Sequence, residues 1–203
     1  MSARIRSAAT CLGFALLVML VGGCAHVYQA PATLVTSYPV TQDKIRLRVR
    51  LVLTRELRAT RWERKSMGDT WSVPMGENLC RNSENLCRQL FQEVAVESTA
   101  VMGVTNVDAV LTPRVVAVEQ SAGAMAWGEA KSVLMLEWSM TDREGKPAWV
   151  ETVKGEAKTA TGNAFTYKGN TEKRVGMMLE QVFLKSHEAM TASPELRRLA
   201  ERR

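Results

Sequence analysis

Lys44–Leu53 reads KIRLRVRLVL, and its alternation decides the fold class. Ile45, Leu47, Val49, Leu51 and Leu53 fall on one side, and Arg46, Arg48 and Arg50 on the other. A period of two marks a strand with one face in a core and the other in solvent. Next along the chain, Glu56–Glu63 (ELRATRWE) reads as a second strand, and Trp71 and Val73 mark a short extended piece stopped by Pro74 and Gly76. From Ser83 to Glu97 the spacing changes. Leu86, Cys87, Leu90, Phe91 and Val94 recur at helical intervals, which predicts an amphipathic helix.

The run Val107–Glu119 (VDAVLTPRVVAVE) is β-branched, and Pro113 inside it predicts an edge strand or a bulge. Ala130–Met140 alternates again, Asp142-Arg-Glu-Gly-Lys146 reads as a turn, and Ala148–Lys158 returns, so 130–158 predicts a hairpin. Thr159–Asn170 reads as a loop. Residues 171–191 form a helix with Val175, Met178, Leu179, Val182, Phe183 and Met190 as one apolar stripe. Ser193-Pro194 then reads as an N-cap with proline at the first helical position of a short basic C-terminal helix. The order β-β-α-β-β-β-α predicts the α+β class: a mainly antiparallel sheet of about five strands, covered on one face by two helices.

The chain has 203 residues, 46% of them apolar and 24% charged, with a formal net charge of +6. That supports one packed domain and excludes wholesale disorder, collagen and low-complexity classes. The one long apolar run, Cys11–Gly22, follows Arg4 and Arg6 and ends in Val21-Gly22-Gly23-Cys24. It is short for a hydrocarbon core of about 30 Å and suits an export signal.

Small residues before a cysteine, placed right after such a run, resemble the lipobox of bacterial lipoproteins. The resemblance implies cleavage before Cys24 and acylation of that residue, so the membrane itself is the first expected partner. Ala25 follows where an Asp would resemble an inner-membrane retention signal, which implies an outer-membrane anchor facing the periplasm. Residues 1–23 are then the signal peptide, 24–43 the lipidated cysteine with a tether, and 44–203 one periplasmic domain. The nineteen tether residues 25–43 would reach about 60 Å if extended. Loss of Arg4 and Arg6 lowers the mature side-chain charge to +4. In layout, though not in any residue motif, the chain resembles small envelope lipoproteins such as those of lipopolysaccharide assembly and peptidoglycan-synthase activation.

Cys80 and Cys87 remain after the anchor is counted. In one continuous helix they would sit about 10 Å apart, beyond bridging distance. A disulfide therefore needs Cys80 in a turn before the helix, with Asn82 or Ser83 as N-cap, and two free thiols are the alternative. No third cysteine or nearby histidine offers a metal site, and no cofactor is expected. Outside the export signal the histidines are His26 and His187, and neither neighbours a nucleophile motif. Gly123–Gly128 lacks the lysine and hydroxyl of a phosphate loop. Glu119, Glu137 and Glu151 sit on predicted strands, and alternation turns Glu137 away from the Leu134/Leu136/Trp138 face toward solvent, so a catalytic carboxylate pair, and with it enzyme activity, is not expected.

The row Arg46, Arg48 and Arg50 is a candidate contact for an anionic partner, because guanidinium forks fit phosphate oxygens. The competing reading is a solvated strand face with acidic neighbours. Five tryptophans, 62, 71, 127, 138 and 149, read either as core or as an aromatic groove. The expected function is a non-catalytic, membrane-anchored envelope module that contacts an envelope protein. A binding module for an anionic lipid or a glycan is the alternative, and an exported chain is not expected to meet nucleic acid.

Overall fold

The computed structural model describes residues 25–28, 38–39, 43–66, 69–97, 106–122, 128–162 and 166–202. Cys24, the export signal and most of the proposed tether lie outside the described residues.

The alternating stretch forms β2 (Ile45–Val52), with Leu47, Val49 and Leu51 buried. It follows a three-residue strand β1 (Ala25–Val27). A single helical turn α1 (Arg55–Arg58) comes next, and the Thr54 hydroxyl accepts from the Leu57 amide at 3.2 Å as its cap. The expected second strand is therefore displaced: Leu57 points inward from a helix, and extended structure resumes at β3 (Arg61–Ser66), which pairs with β4 (Asp69–Pro74). With β1 these make a small sheet of order β1-β4-β3.

The next helix, α2 (Gly76–Leu90), begins seven residues earlier and ends seven residues earlier than the spacing predicted. Its start is set by packing. A Cβ on Gly76 would lie 1.8 Å from the Arg58 carbonyl oxygen, so only glycine lets α2 meet α1 this closely. It stops because Phe91 turns extended, and Glu93-Val94-Ala95-Val96-Glu97 carries its own period of two as β5 (Phe91–Glu97).

Three strands of fourteen residues follow, β6 (Ala109–Ala122), β7 (Glu129–Asp142) and β8 (Pro147–Ala160). The β7–β8 hairpin is as expected, and its turn is fixed by the Asp142 carboxylate, which accepts from the Glu144 and Lys146 amides. The main sheet has the order β5-β2-β6-β7-β8. It has the expected five strands and its longest pairings are antiparallel, but it is mixed rather than purely antiparallel. β2 lies parallel to both β5 and β6, while β6, β7 and β8 run antiparallel. The parallel pairing rests on β5, whose first residues also satisfy the helical spacing of the segment before it. Pro113 fits the edge expectation locally: among the described residues β2 pairs β6 at Ala109–Leu111, and beyond that point β6 pairs with β7 alone.

Helix α3 (Tyr167–Ala192) covers β7 and β8, and α2 packs beside it against β5 and β2. The expected stripe of α3, Val175 through Met190, is buried at every position. Gly155 of β8 lets α3 approach, since a Cβ there would stand 2.4 Å from the Met178 carbonyl oxygen. Gln181 and Lys185 of α3 also bond the Glu156 amide and Lys154 carbonyl on the open edge of β8. That covers part of an edge otherwise free to pair with another chain. The short helix α4 (Pro194–Glu201) is capped by the Ser193 hydroxyl, which accepts from the Leu196 amide at 3.2 Å.

Candidate membrane-proximal site

Ala25–Tyr28, which follow Cys24, are packed against the domain. Ala25, His26 and Val27 pair in parallel with Thr70, Trp71 and Ser72, and the Tyr28 amide donates to the Ser72 carbonyl at 2.8 Å. Tyr28 is buried, with its ring 5.4 Å from Trp71. Tyr38 is buried too and stacks on His187 at 5.4 Å. The expectation of a free tether fails at these residues. Two of the chain's three tyrosines lie in the supposed linker, and that enrichment in large apolar rings was the available signal.

The register of the small sheet gives two cross-strand rows. Ala25, Thr70 and Lys65 form the first, and His26, Trp71 and Arg64 the second. Lys65 is exposed, and its Cα is two strand spacings from that of Ala25, about 10 Å. Behind the second row stands the first turn of α3. Trp71 meets Tyr167 edge-on at 5.4 Å, Arg64 donates to the Tyr167 hydroxyl at 2.8 Å, and Lys168 lies 6.0 Å from the Tyr28 ring centre. Burial, together with Tyr167 and Glu172, pushes the Tyr28 phenol up to about 12, so it stays neutral at physiological pH.

This end is fixed rigidly to the core. Trp62 of β3 is fully buried, and its indole N–H donates to the Ser132 hydroxyl at 3.1 Å. Arg174 of α3, 2% exposed, donates to the same oxygen at 2.9 Å and to Thr159 at 2.8 Å, with its guanidinium 5.8 Å from the Trp62 ring centre. Among the described residues no carboxylate pairs with Arg174; hydroxyls and an indole face hold the charge instead.

The residues singled out in the sequence fare differently. Arg48 is committed to Asp108, by two side-chain bonds of 3.1 and 3.3 Å and a backbone bond of 2.9 Å. Arg143 joins the same carboxylate at 2.8 Å. Arg50 faces Glu97 at 4.0 Å. Of the three, Arg46 alone is exposed, and it lines a cleft of about 740 Å³ with Lys44, Arg197, Asp43 and Glu201. Arg48 and Arg50 thus face acidic neighbours, while Arg46 stays exposed in a cleft that also holds Asp43 and Glu201. Trp62, Trp138 and Trp149 are buried, so they build core and not a groove.

Cys80 and Cys87 both lie within α2 and are buried free thiols. The expected bridge is corrected: α2 is continuous across both, two turns apart, which is out of reach. Burial raises both thiols above their ordinary value, Cys87 the more strongly, which is opposite to what an attacking thiolate needs. Among the described residues no three His, Cys, Asp or Glu side chains gather as metal ligands. No described helix is long and apolar enough to cross a membrane.

No family model matches the sequence, and no curated protein matches it. Among solved structures the chain is similar to a Xanthomonas campestris protein of the DUF330 family, at 9% identity and a TM-score of 0.47, covering 83% of this chain and 97% of that one. It is similar to a minor lipoprotein from Acinetobacter baumannii, at 8% identity and a TM-score of 0.41, covering 71% and 91%. A Neisseria meningitidis lipoprotein matches at 12% identity and a TM-score of 0.33, covering 76% and 98%. Function is read below from this chain's own residues.

Proposed function

We propose that the protein is a non-catalytic lipoprotein of the bacterial envelope, anchored through acylated Cys24 to the outer membrane and facing the periplasm, where it serves as an assembly or protein-interaction module. The observation that carries this reading is the docking of Ala25–Val27 as a strand immediately after the candidate lipid cysteine. A lipoprotein cleaved at Cys24 would begin its folded domain at that strand. Two or more acyl chains give lasting anchorage where one gives marginal binding.

The non-catalytic reading is supported by the state of the nucleophile candidates, since both thiols are buried and raised and His187 is stacked on Tyr38. A lipid- or glycan-binding role would call for a groove lined by aromatic rings. The cleft beside α4 is instead lined by Lys44, Arg46 and Arg197 facing Asp43 and Glu201.

Cell fractionation tests the anchor. Wild-type protein should sediment with outer membranes and incorporate labelled palmitate. A Cys24→Ala protein should lose the palmitate label. A wild-type protein that carries no lipid would refute the reading. In-cell crosslinking should then recover an envelope protein partner.

A further inference from the structure

We propose that the end of the domain built by Lys65, Arg64 and Lys168 around β1 rests on the anionic headgroup surface of the same bilayer that holds the acyl chains of Cys24. The proposal deepens the lipid-anchor reading and rests on it. The occupant is fixed by the covalent chain: Ala25 is the residue after Cys24 and is already hydrogen-bonded into the small sheet. A free tether would leave orientation open, whereas a single peptide bond between anchor and strand leaves this end as the one that faces the lipid.

The chemistry of that end suits a phosphate-bearing surface. Lys65 shares a row with Ala25 at about 10 Å, comparable to the Debye length of about 8 Å at physiological salt, and extends from the sheet face opposite to Arg64 and Trp71. Lys168 is exposed beside Tyr28, the residue after β1. Arg64 sits 5.7 Å from the Tyr167 ring centre, and the half-buried Trp71 and Tyr167 are amphipathic rings of the kind that settle at headgroup depth. Acidic groups are present as well: Glu63 lies on β3, and Glu172 reaches Lys168 at 3.9 Å, a loose pairing that leaves the ammonium able to meet phosphate.

Lipidated wild-type protein reconstituted into phosphatidylethanolamine vesicles with 30% phosphatidylglycerol supplies the test. Flotation reads the anchor. Quenching of Trp71 by lipids brominated near the headgroup, taken as the difference from Trp71→Phe, reads the contact. Each cation at an anionic surface favours contact about fivefold, so Lys65→Glu with Lys168→Glu should lower the apposed-to-free ratio by about 30-fold or more. Both side chains are exposed, so the fold should survive; wild-type protein in 0.5 M NaCl gives a second reading without any substitution and should lose quenching in the same direction. Flotation with no Trp71-dependent quenching, or quenching indifferent to both charge reversal and salt, overturns the seating and leaves the anchor standing. Failure to float overturns the anchor reading itself.

Discussion

Gly155→Ala should destabilise the protein, although replacing a strand glycine by alanine is ordinarily favourable by about 0.5–1 kcal/mol. The new Cβ would stand 2.4 Å from the Met178 carbonyl oxygen, 2.8 Å from the Val182 Cβ and 2.9 Å from the Val182 nitrogen. Ordinary contact begins near 3.4 Å, so α3 must move off β8 by about 1 Å. The obstacle is helix backbone, which cannot rotate aside as a side chain would. A gap of that size forfeits a quarter to a half of the dispersion energy of each contact it opens. Along α3 those contacts include Val175, Leu179, Val182 and Phe183, all fully buried.

The net cost should be about 3 kcal/mol, at the upper end of typical overpacking penalties. In a domain of this size that lowers Tm by roughly 6–12 °C. Gly169→Ala is the matched control. It lies in α3, exposed, with nothing within 4 Å of a new Cβ, so it should gain about 0.5–1 kcal/mol and raise Tm by about 2–3 °C. Urea unfolding followed by tryptophan fluorescence, with an unchanged slope, would read both. If the two substitutions shift the midpoint in the same direction, the close approach of α3 to β8 is refuted.

Ser132→Ala leaves the Trp62 indole N–H and the Arg174 guanidinium without their shared buried acceptor and should cost about 2–3 kcal/mol, read as a Tm lower by roughly 5–10 °C. Both Cys80 and Cys87 should be inert to alkylation in the native protein and both should react after unfolding without reductant; a mass two daltons low with no alkylation would show a bridge instead. Burial holds the His187 imidazole below its ordinary value of 6.5, so the unfolded chain takes up that proton first. Stability from this site is therefore fully present above about pH 6.5 and is lost as pH falls from there through the lowered native value, and a His187→Gln protein should lose this step in a Tm–pH series while keeping the later acid losses from Glu156 and Glu195, whose carboxylates are held below their usual range by Lys131 and by the helix cap.

What could be read from the residues alone was whatever carried a long, clean period. The β2 alternation, the 130–158 hairpin, the α3 stripe and the Ser193-Pro194 cap all stand where the pattern put them. Misreadings fell at short segments where two periods coincide. Leu90, Phe91 and Val94 satisfy helical spacing, yet Val94 and Val96 also satisfy a strand, and pairing with β2 decided in favour of the strand. Glu56 and Leu57 fall in the expected strand, although Thr54, three residues before the buried Leu57, is a cap signature. The Arg row was visible as a face, but its partners Asp108, just before β6, and Glu97, at the end of β5, are brought beside it by the parallel pairing, which no local pattern states. The anchor-end cluster draws Tyr28, Arg64, Trp71 and Tyr167 from four separate segments and had no local signature beyond the tyrosines of the supposed linker.

Whether residues 25–43 are a tether or part of the domain changes what the molecule can reach. As a flexible linker of nineteen residues they would have a root-mean-square span of about 25 Å, and the domain would sample many heights and tilts. With β1 hydrogen-bonded to β4, and β3 carrying Trp62 into the Ser132–Arg174 network, β1 is continuous with the core. On the proposed anchoring, orientation imposed at Ala25 passes to α3 through these bonds. Helix α3 has 26 residues, about 39 Å at 1.5 Å per residue, and its first turn is at the anchor end. The far end, where α4 and the start of β2 enclose the cleft of Arg46 and Arg197, follows the last turn of α3. On the proposed seating, a partner met through that cleft is met as much as 40 Å from the headgroups, in the periplasmic space, while the end that carries Lys65 and Lys168 is taken up by lipid. The two ends therefore divide the work, and substitutions at one should leave the binding read at the other unchanged.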